Sequence, residues 1–182
     1  MFKRKQKKFT GGESETLKSL RNTIKDYTGY DDVKDRSPSD RALRNYLYDL
    51  ILDLINSYSN VQNQLMQGQL LSTWSSSNQI LTMLNTLRTL LTSDVYRHST
   101  FFETPDISEN IEISVLYLLE SETILEMRST KKDIQTVSEK LIALDLFDIE
   151  KDILKIKSNI EEVNQTIADR AELIASFEIV GF

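Results

Sequence analysis

His98 is the only histidine in the chain, and the chain contains no cysteine. A single imidazole excludes a site built from two histidine ligands of one chain, and the lack of thiols excludes thiolate ligands, a cysteine nucleophile and disulfides. A Ser-His-Asp arrangement would have to use His98, which lies in a predicted turn without a recognisable signature. Gly11 and Gly12 are not followed by the Lys-Ser or Lys-Thr of a phosphate-binding loop. The sequence predicts no catalytic residue and no cofactor, and therefore a protein that is not an enzyme.

Acidic side chains are the remaining candidates for chemistry. Carboxylates at helical spacing bind Mg²⁺ when several of them face inward across a bundle. The candidates here are three pairs: Glu109 with Glu112, Glu122 with Glu126, and Glu161 with Glu162. Most of them flank apolar stripes in a half of the chain, residues 101–182, that holds 8 basic and 18 acidic residues. This pattern favours a solvated helix face over a metal site, so no metal ligand is predicted.

The opposite charge is concentrated at the N-terminus. Five cations and no acid fall within residues 1–8, and Phe2 and Phe9 bracket them; the cations are Lys3, Arg4, Lys5, Lys7 and Lys8. Such an arm can bind an anionic surface, fold back onto the acidic half of the chain, or remain solvated. Nucleic acid is disfavoured as its target, because basic and aromatic residues do not interleave in the helices that follow. Residues 1–13 are predicted to be a flexible basic arm and residues 14–182 a single helical-bundle domain.

Long helices must position these residues, because 182 residues include only 5 Gly and 2 Pro. The fold class predicted is all-α, an elongated antiparallel bundle of four to five helices with coiled-coil-like packing. Ser14 is a predicted cap for a first helix whose apolar face extends to Tyr27. Residues 30–36 are predicted to be a loop, and Ser37-Pro38 to start the second helix.

The most unusual segment is Leu54–Leu87, which contains no charged residue. Apolar residues recur along it at helical spacing, and its other face is Ser, Asn, Gln and Thr. A neutral polar face indicates a helix that is contacted on more than one side, either within the bundle or between subunits. Residues 68–78 are predicted to be a turn or a kink. Trp74 in this segment is predicted to be buried in a core or an interface.

The C-terminal half continues the helical pattern. Asp106 and Glu109 have capping-box spacing. The polar run 128–133 indicates that the helix leaves the core or that the chain turns, and Leu141 and Leu144 continue the apolar stripe after it. Residues 148–177 have the clearest period and are predicted to form one long helix.

Two functions remain compatible with these patterns. The first is a non-enzymatic scaffold or adaptor that self-associates or joins a larger protein complex through its long amphipathic helices. The residues predicted to form its interface are Leu54, Tyr58, Val61, Leu65, Trp74, Ile153, Ile156, Ile160, Val163 and Ile167.

The second function is attachment to a membrane. In outline, a basic N-terminal extension followed by several long helices resembles the crescent-shaped BAR modules and the ESCRT-III-like subunits. The resemblance implies a peripheral membrane-binding or membrane-remodelling protein held to anionic lipid by residues 1–9. For either function the predicted location is the cytoplasm, at a membrane surface in the second case.

Overall fold

The structure is a computed structural model that describes residues 14–92, 99–103 and 110–177. Within these ranges every regular element is helical, and five α-helices pack against one another. The helices are α1 (Glu15–Thr23), α2 (Val33–Gln67), α3 (Trp74–Thr92), α4 (Asn110–Ile142) and α5 (Ile149–Ser176). The predicted all-α bundle is confirmed.

The four long helices form two antiparallel hairpins, α2 with α3 and α4 with α5, that lie side by side. α2 packs against α4 and α3 packs against α5, so each contact between the hairpins is made by parallel helices. Their apolar stripes meet along the bundle axis, with Leu47, Ile51, Ile153 and Ile156 among the buried residues. α5 covers the predicted range 148–177 to within one residue at each end.

α1 is shorter than predicted. Ser14 caps it as expected, because its Oγ accepts a hydrogen bond from the backbone N–H of Leu17 at 3.2 Å, but the helix ends at Thr23 and Tyr27 lies in the turn that follows. The connection to α2 passes close to the core at Gly29, where φ is +100° and an added Cβ would lie 2.8 Å from Tyr117 Oη. Glycine is required there by both the backbone conformation and the close approach.

The predicted start of α2 at Ser37-Pro38 is wrong. The helix begins at Val33, Asp32 caps it, and Pro38 lies inside it. Buried side chains of the first turns explain the extension. Arg36 Nε donates to the carbonyl of Tyr30 at 2.8 Å, and Arg36 Nη1 donates to the carbonyl of Phe101 at 2.8 Å. These bonds hold the predicted loop in a helical turn that local sequence signals do not specify.

The other predicted breaks are also resolved. Residues 68–73 form a turn that includes a short 3₁₀ segment, Leu71–Thr73, so α2 and α3 are separate helices. The polar run 128–133 lies inside the continuous helix α4, and Thr130 within it is fully buried. The capping pair Asp106 and Glu109, together with His98, lies outside the described residues.

One end of the bundle, which we call the base, is sealed by aromatic residues. Phe101, in the 3₁₀ segment Thr100–Phe102 between α3 and α4, is fully buried. Its ring lies 5.5 Å from that of Tyr30 and 4.8 Å from that of Phe177.

Beside this aromatic plug, Arg170 of α5 binds two buried carboxylates. Arg170 Nε donates to Glu120 Oε1 at 2.8 Å, and Arg170 Nη2 donates to Asp40 Oδ1 at 2.7 Å. Tyr27 and Tyr30 donate their hydroxyls to the same Glu120 carboxylate at 2.5 and 2.6 Å. This network joins α2, α4 and α5 to the segment after α1, so the base is fixed by satisfied polar groups.

Candidate functional site

The two hairpin turns lie at the same end of the molecule, opposite the base. α2 and α4 run parallel, as side-chain contacts show at successive levels: Arg128 Nη2 donates to Tyr46 Oη at 2.7 Å, and Ser138 Oγ donates to Gln64 Oε1 at 3.3 Å. The C-terminal ends of α2 and α4 therefore lie together, and so do the turns that follow them. We call this end the tip.

The tip exposes large apolar side chains. Leu144 is 82% exposed, Leu71 is 80% exposed and Phe147 is 77% exposed. The other exposed apolar residues of these two turns and their helix ends are Met66, Trp74, Ile142 and Leu146. Their combined apolar area is on the order of several hundred Å², which is at the upper limit of what an isolated soluble protein usually leaves exposed in one place.

The backbone of the tip is strained at two helix ends. α2 and α4 each end in a Schellman motif. In α2 the backbone N–H of Leu70 donates to the carbonyl of Leu65 at 3.0 Å, and in α4 the backbone N–H of Asp145 donates to the carbonyl of Lys140 at 3.0 Å. The left-handed position of this motif is usually glycine, but here it is Gln69 with φ +54° and Leu144 with φ +58°. A leucine at that position costs roughly 1–2 kcal/mol relative to a conformation with negative φ.

Charge divides the tip into two halves. The α2–α3 turn belongs to the segment Leu54–Leu87 and carries no charge. The α4–α5 turn carries Asp145 and Asp148, and the first turn of α5 adds Glu150 and Asp152. Lys140 offsets one of these acids, because its Nζ donates to Asp152 Oδ2 at 2.6 Å. The exposed Lys151 lies between Glu150 and Asp152, so the rim keeps an excess of two acids over its cations. The apolar side chains of the tip thus lie beside an acidic rim.

The residues predicted to form an interface have a different location. All of them except Trp74 are buried in the core of the single chain: Leu54, Tyr58, Val61, Leu65, Ile153, Ile156, Ile160, Val163 and Ile167. Packing inside the bundle uses these side chains, so they are not exposed on the surface of the single chain. Trp74 is 41% exposed at the tip and is the one predicted interface residue that remains accessible.

The neutral polar face of the uncharged segment is partly open to solvent. Its exposed positions include Asn56, Asn60, Asn63, Asn78, Thr82 and Thr86, whereas Ser57, Ser59, Gln62 and Gln64 are half-buried. α2 packs against both α3 and α4, and Gln64 of the polar face accepts a hydrogen bond from Ser138 of α4 at 3.3 Å. The helix is therefore contacted on more than one side within the chain, as predicted, although part of its polar face remains exposed. The exposed part forms an uncharged flank that leads along α2 and α3 to the tip.

Among the described residues, the carboxylates considered as metal ligands do not converge. Glu126 Oε2 accepts a hydrogen bond from Thr166 at 3.4 Å, and Glu161 lies 3.6 Å from Lys157 on the surface of α5. Over the described ranges, no group of three or more acidic or histidine side chains could hold a metal ion. The basic arm residues Lys3, Arg4, Lys5, Lys7 and Lys8 lie outside those ranges.

Leu144 is predicted from the sequence to continue the apolar stripe of α4, and that prediction is wrong because the side chain is exposed. The helix ends at Ile142, so the helical period no longer determines where the next side chains point. One signal could have identified the tip: Ile142, Leu144, Leu146 and Phe147 crowd a turn that contains no Gly, Pro or Asn. Apolar residues are unusual in a turn unless they contact something.

Among the described residues, no helix is both long and apolar enough to span a bilayer. Comparisons with family models, with curated proteins and with solved structures gave no match.

Proposed function

We propose that this protein is a non-enzymatic helical scaffold that assembles with protein through the tip of its bundle. One observation carries the proposal: at the tip, Leu144, Leu71 and Phe147 are each more than three-quarters exposed, whereas the base buries its aromatic residues. Burying such side chains contributes roughly 1.5–3 kcal/mol each, which is enough for a small number of them to anchor a partner.

The two ends of the molecule support this proposal by their contrast. At the base, Phe101 is fully buried and its carbonyl accepts a hydrogen bond from Arg36, so this end of the bundle is closed by aromatic packing and hydrogen bonds. The tip instead holds Leu144 in a strained backbone conformation with its side chain in solvent. Strain together with exposure is typical of residues that are retained for contacts outside the chain.

Membrane attachment is the second candidate, because the tip is apolar and residues 1–9 are basic. The acidic rim disfavours it, since Asp145, Asp148 and Glu150 would face the negative headgroups of an anionic membrane. Protein is therefore the favoured target.

A photo-crosslinking experiment in cells tests the proposal. Benzoylphenylalanine replaces Phe147 in one variant and Leu125 in a matched control, since Leu125 is 62% exposed on the side of α4. We expect a discrete protein adduct from position 147 and none from position 125. Equal adduct patterns at the two positions, or no adduct at 147, would contradict the proposal.

Pelleting with vesicles of phosphatidylcholine and phosphatidylserine separates the two candidates. The full chain is compared with a variant lacking residues 1–9 and with Leu144→Ser/Phe147→Ser. Pelleting that depends on both the arm and the tip would favour the membrane. We expect little pelleting of any of the three.

A further inference from the structure

We propose that the tip binds the basic arm, residues 1–9, of a second copy of this chain, so that copies join head to tail. The proposal rests on the proposed function of the tip and names its occupant. Three features carry it: the complementary composition of arm and tip, the place where the arm leaves the bundle, and the distance from there to the tip.

The arm and the tip have opposite charge and a shared apolar character. The arm combines five cations with Phe2 and Phe9, and it has no acid. The tip combines exposed Leu144, Leu71 and Phe147 with the acids of its rim. Phenylalanines that enter the apolar area would bring the lysines between them to the acidic rim. Such a contact gains apolar burial and an electrostatic attraction that raises the association rate.

The arm leaves the bundle at the base. Leu17, near the start of α1, and Tyr117 of α4 both lie next to Gly29 at the base. Ser14 is three residues before Leu17, so the described chain begins at the base.

The arm cannot place both of its phenylalanines on the tip of the same molecule. Tyr117 and Ile142 lie on one helix and are separated by about 38 Å at about 1.5 Å per residue. From Ser14, a fully extended chain reaches about 18 Å at Phe9 and about 42 Å at Phe2. Phe9 cannot reach its own tip, and both phenylalanines cannot occupy it together. The length of the arm does not prevent both phenylalanines from reaching the tip of a second copy, because the second molecule can approach the arm directly.

This geometry predicts open chains of molecules. The contact joins two different surfaces, arm and tip, so each copy retains one free arm or one free tip after pairing. Wild-type protein should therefore pass beyond the dimer as its concentration rises. Because the contact includes exposed ion pairs, raising the salt from about 0.05 to 0.5 M should weaken association by about tenfold.

Mixing full-length variants tests the proposal. The arm variant carries Lys5→Glu, Lys7→Glu and Phe9→Ser, and the tip variant carries Leu144→Ser and Phe147→Ser. Each alone lacks one of the two surfaces, so each is expected to be monomeric in sedimentation velocity. Their equimolar mixture retains one intact arm and one intact tip per pair, and it should form a one-to-one dimer and nothing larger. Leu125→Ser is the control and should associate like wild type.

The outcomes separate this inference from the function on which it rests. If the tip variant is monomeric but the arm variant associates like wild type, the tip is a contact surface and the arm is not its occupant. A monomeric wild type at about 100 μM, with a foreign protein crosslinked to position 147, overturns the inference and leaves the proposed function intact. A monomeric wild type without any adduct at 147 overturns both. The far-ultraviolet circular dichroism of each variant verifies that the fold is unchanged.

Discussion

Leu144 shows how a single residue can oppose the stability of its own fold. It occupies the left-handed position that ends α4, where φ is +58°, and its side chain is almost entirely in solvent. Neither feature stabilises the folded chain: the backbone conformation is unfavourable for any residue with a Cβ, and the exposed apolar surface gains nothing from folding. The residue is therefore expected to serve contacts outside the chain.

Replacing this residue should increase stability. Leu144→Gly removes the Cβ from the left-handed conformation and should raise the free energy of unfolding by about 0.5–1 kcal/mol, as measured by urea denaturation. Leu146→Gly is the matched control, because Leu146 lies in the same turn without a positive φ, and it should be neutral or destabilising. The same Leu144 variant should associate less than wild type. Destabilisation by Leu144→Gly would show that the leucine is needed for folding.

At the scale of helices, the α2–α3 hairpin contains a packing defect at its centre. Tyr58 of α2 and Ser77 of α3 are buried and their hydroxyls face each other, close enough for Ser77 to oppose the rise in the pKa of Tyr58. The two oxygens nevertheless lack the full geometry of a hydrogen bond, so the pair is poorly bonded. Burial raises the pKa of Tyr58 to about 12, so the phenol remains protonated at neutral pH. An unpaired buried hydroxyl costs free energy without contributing a bond.

Tyr58→Phe should therefore leave stability unchanged or raise the free energy of unfolding by up to about 1 kcal/mol. Tyr30→Phe is the control with a bonded hydroxyl, because Tyr30 Oη donates to Glu120 and accepts from Arg170. That substitution should lower the free energy of unfolding by about 1–3 kcal/mol. Urea denaturation followed by circular dichroism compares the two. Equal losses would show that the Tyr58 hydroxyl is bonded.

The helices were predictable from the sequence where their signals are local. The apolar period of residues 148–177 defines α5 almost to the residue, because side chains three and four positions apart share one helix face. The ends of the helices were harder to predict. Gly68 marks the end of α2, yet the neighbouring Gln69 adopts the left-handed conformation, and so does Leu144, two residues after the end of α4. Neither residue type indicates such a conformation.

The base network could not be predicted from the sequence. Asp40, Glu120 and Arg170 lie far apart in the chain, and each is of a type that is usually solvated. Only the packing of three helices brings them together and removes them from water. The tip is likewise defined by the tertiary fold, since the sequence does not show that two separate turns lie at one end of the bundle.

At the scale of the whole molecule, the two ends of the bundle differ: a buried ionic network holds the base together, whereas the tip leaves apolar side chains exposed. Asp40 and Glu120 are two buried anions, and Arg170 is the cation bonded to both. Burial raises the pKa of Glu120, while Arg170 and the hydroxyls of Tyr27 and Tyr30 oppose that rise. The base is therefore stable at neutral pH only while the cation is in place.

Arg170→Met should lower the free energy of unfolding by about 3–5 kcal/mol at pH 7, because it leaves the buried carboxylate of Glu120 without its cation, whereas Asp40 keeps its contact with Arg44. The loss of the cation also raises the pKa of Glu120 further. A folded-state pKa above the unfolded value means that the folded protein binds the proton more tightly, so this contribution stabilises at low pH and is lost as the pH rises. The deficit of the variant relative to wild type should therefore shrink between pH 7 and pH 5. Urea denaturation at both pH values measures this deficit.

Lys155→Met is the control, since the pair of Lys155 with Asp133 is on the surface, and it should cost less than about 1 kcal/mol at either pH. A deficit for Arg170→Met that grows on acidification would contradict the assignment of Glu120 as the buried group that takes up the proton.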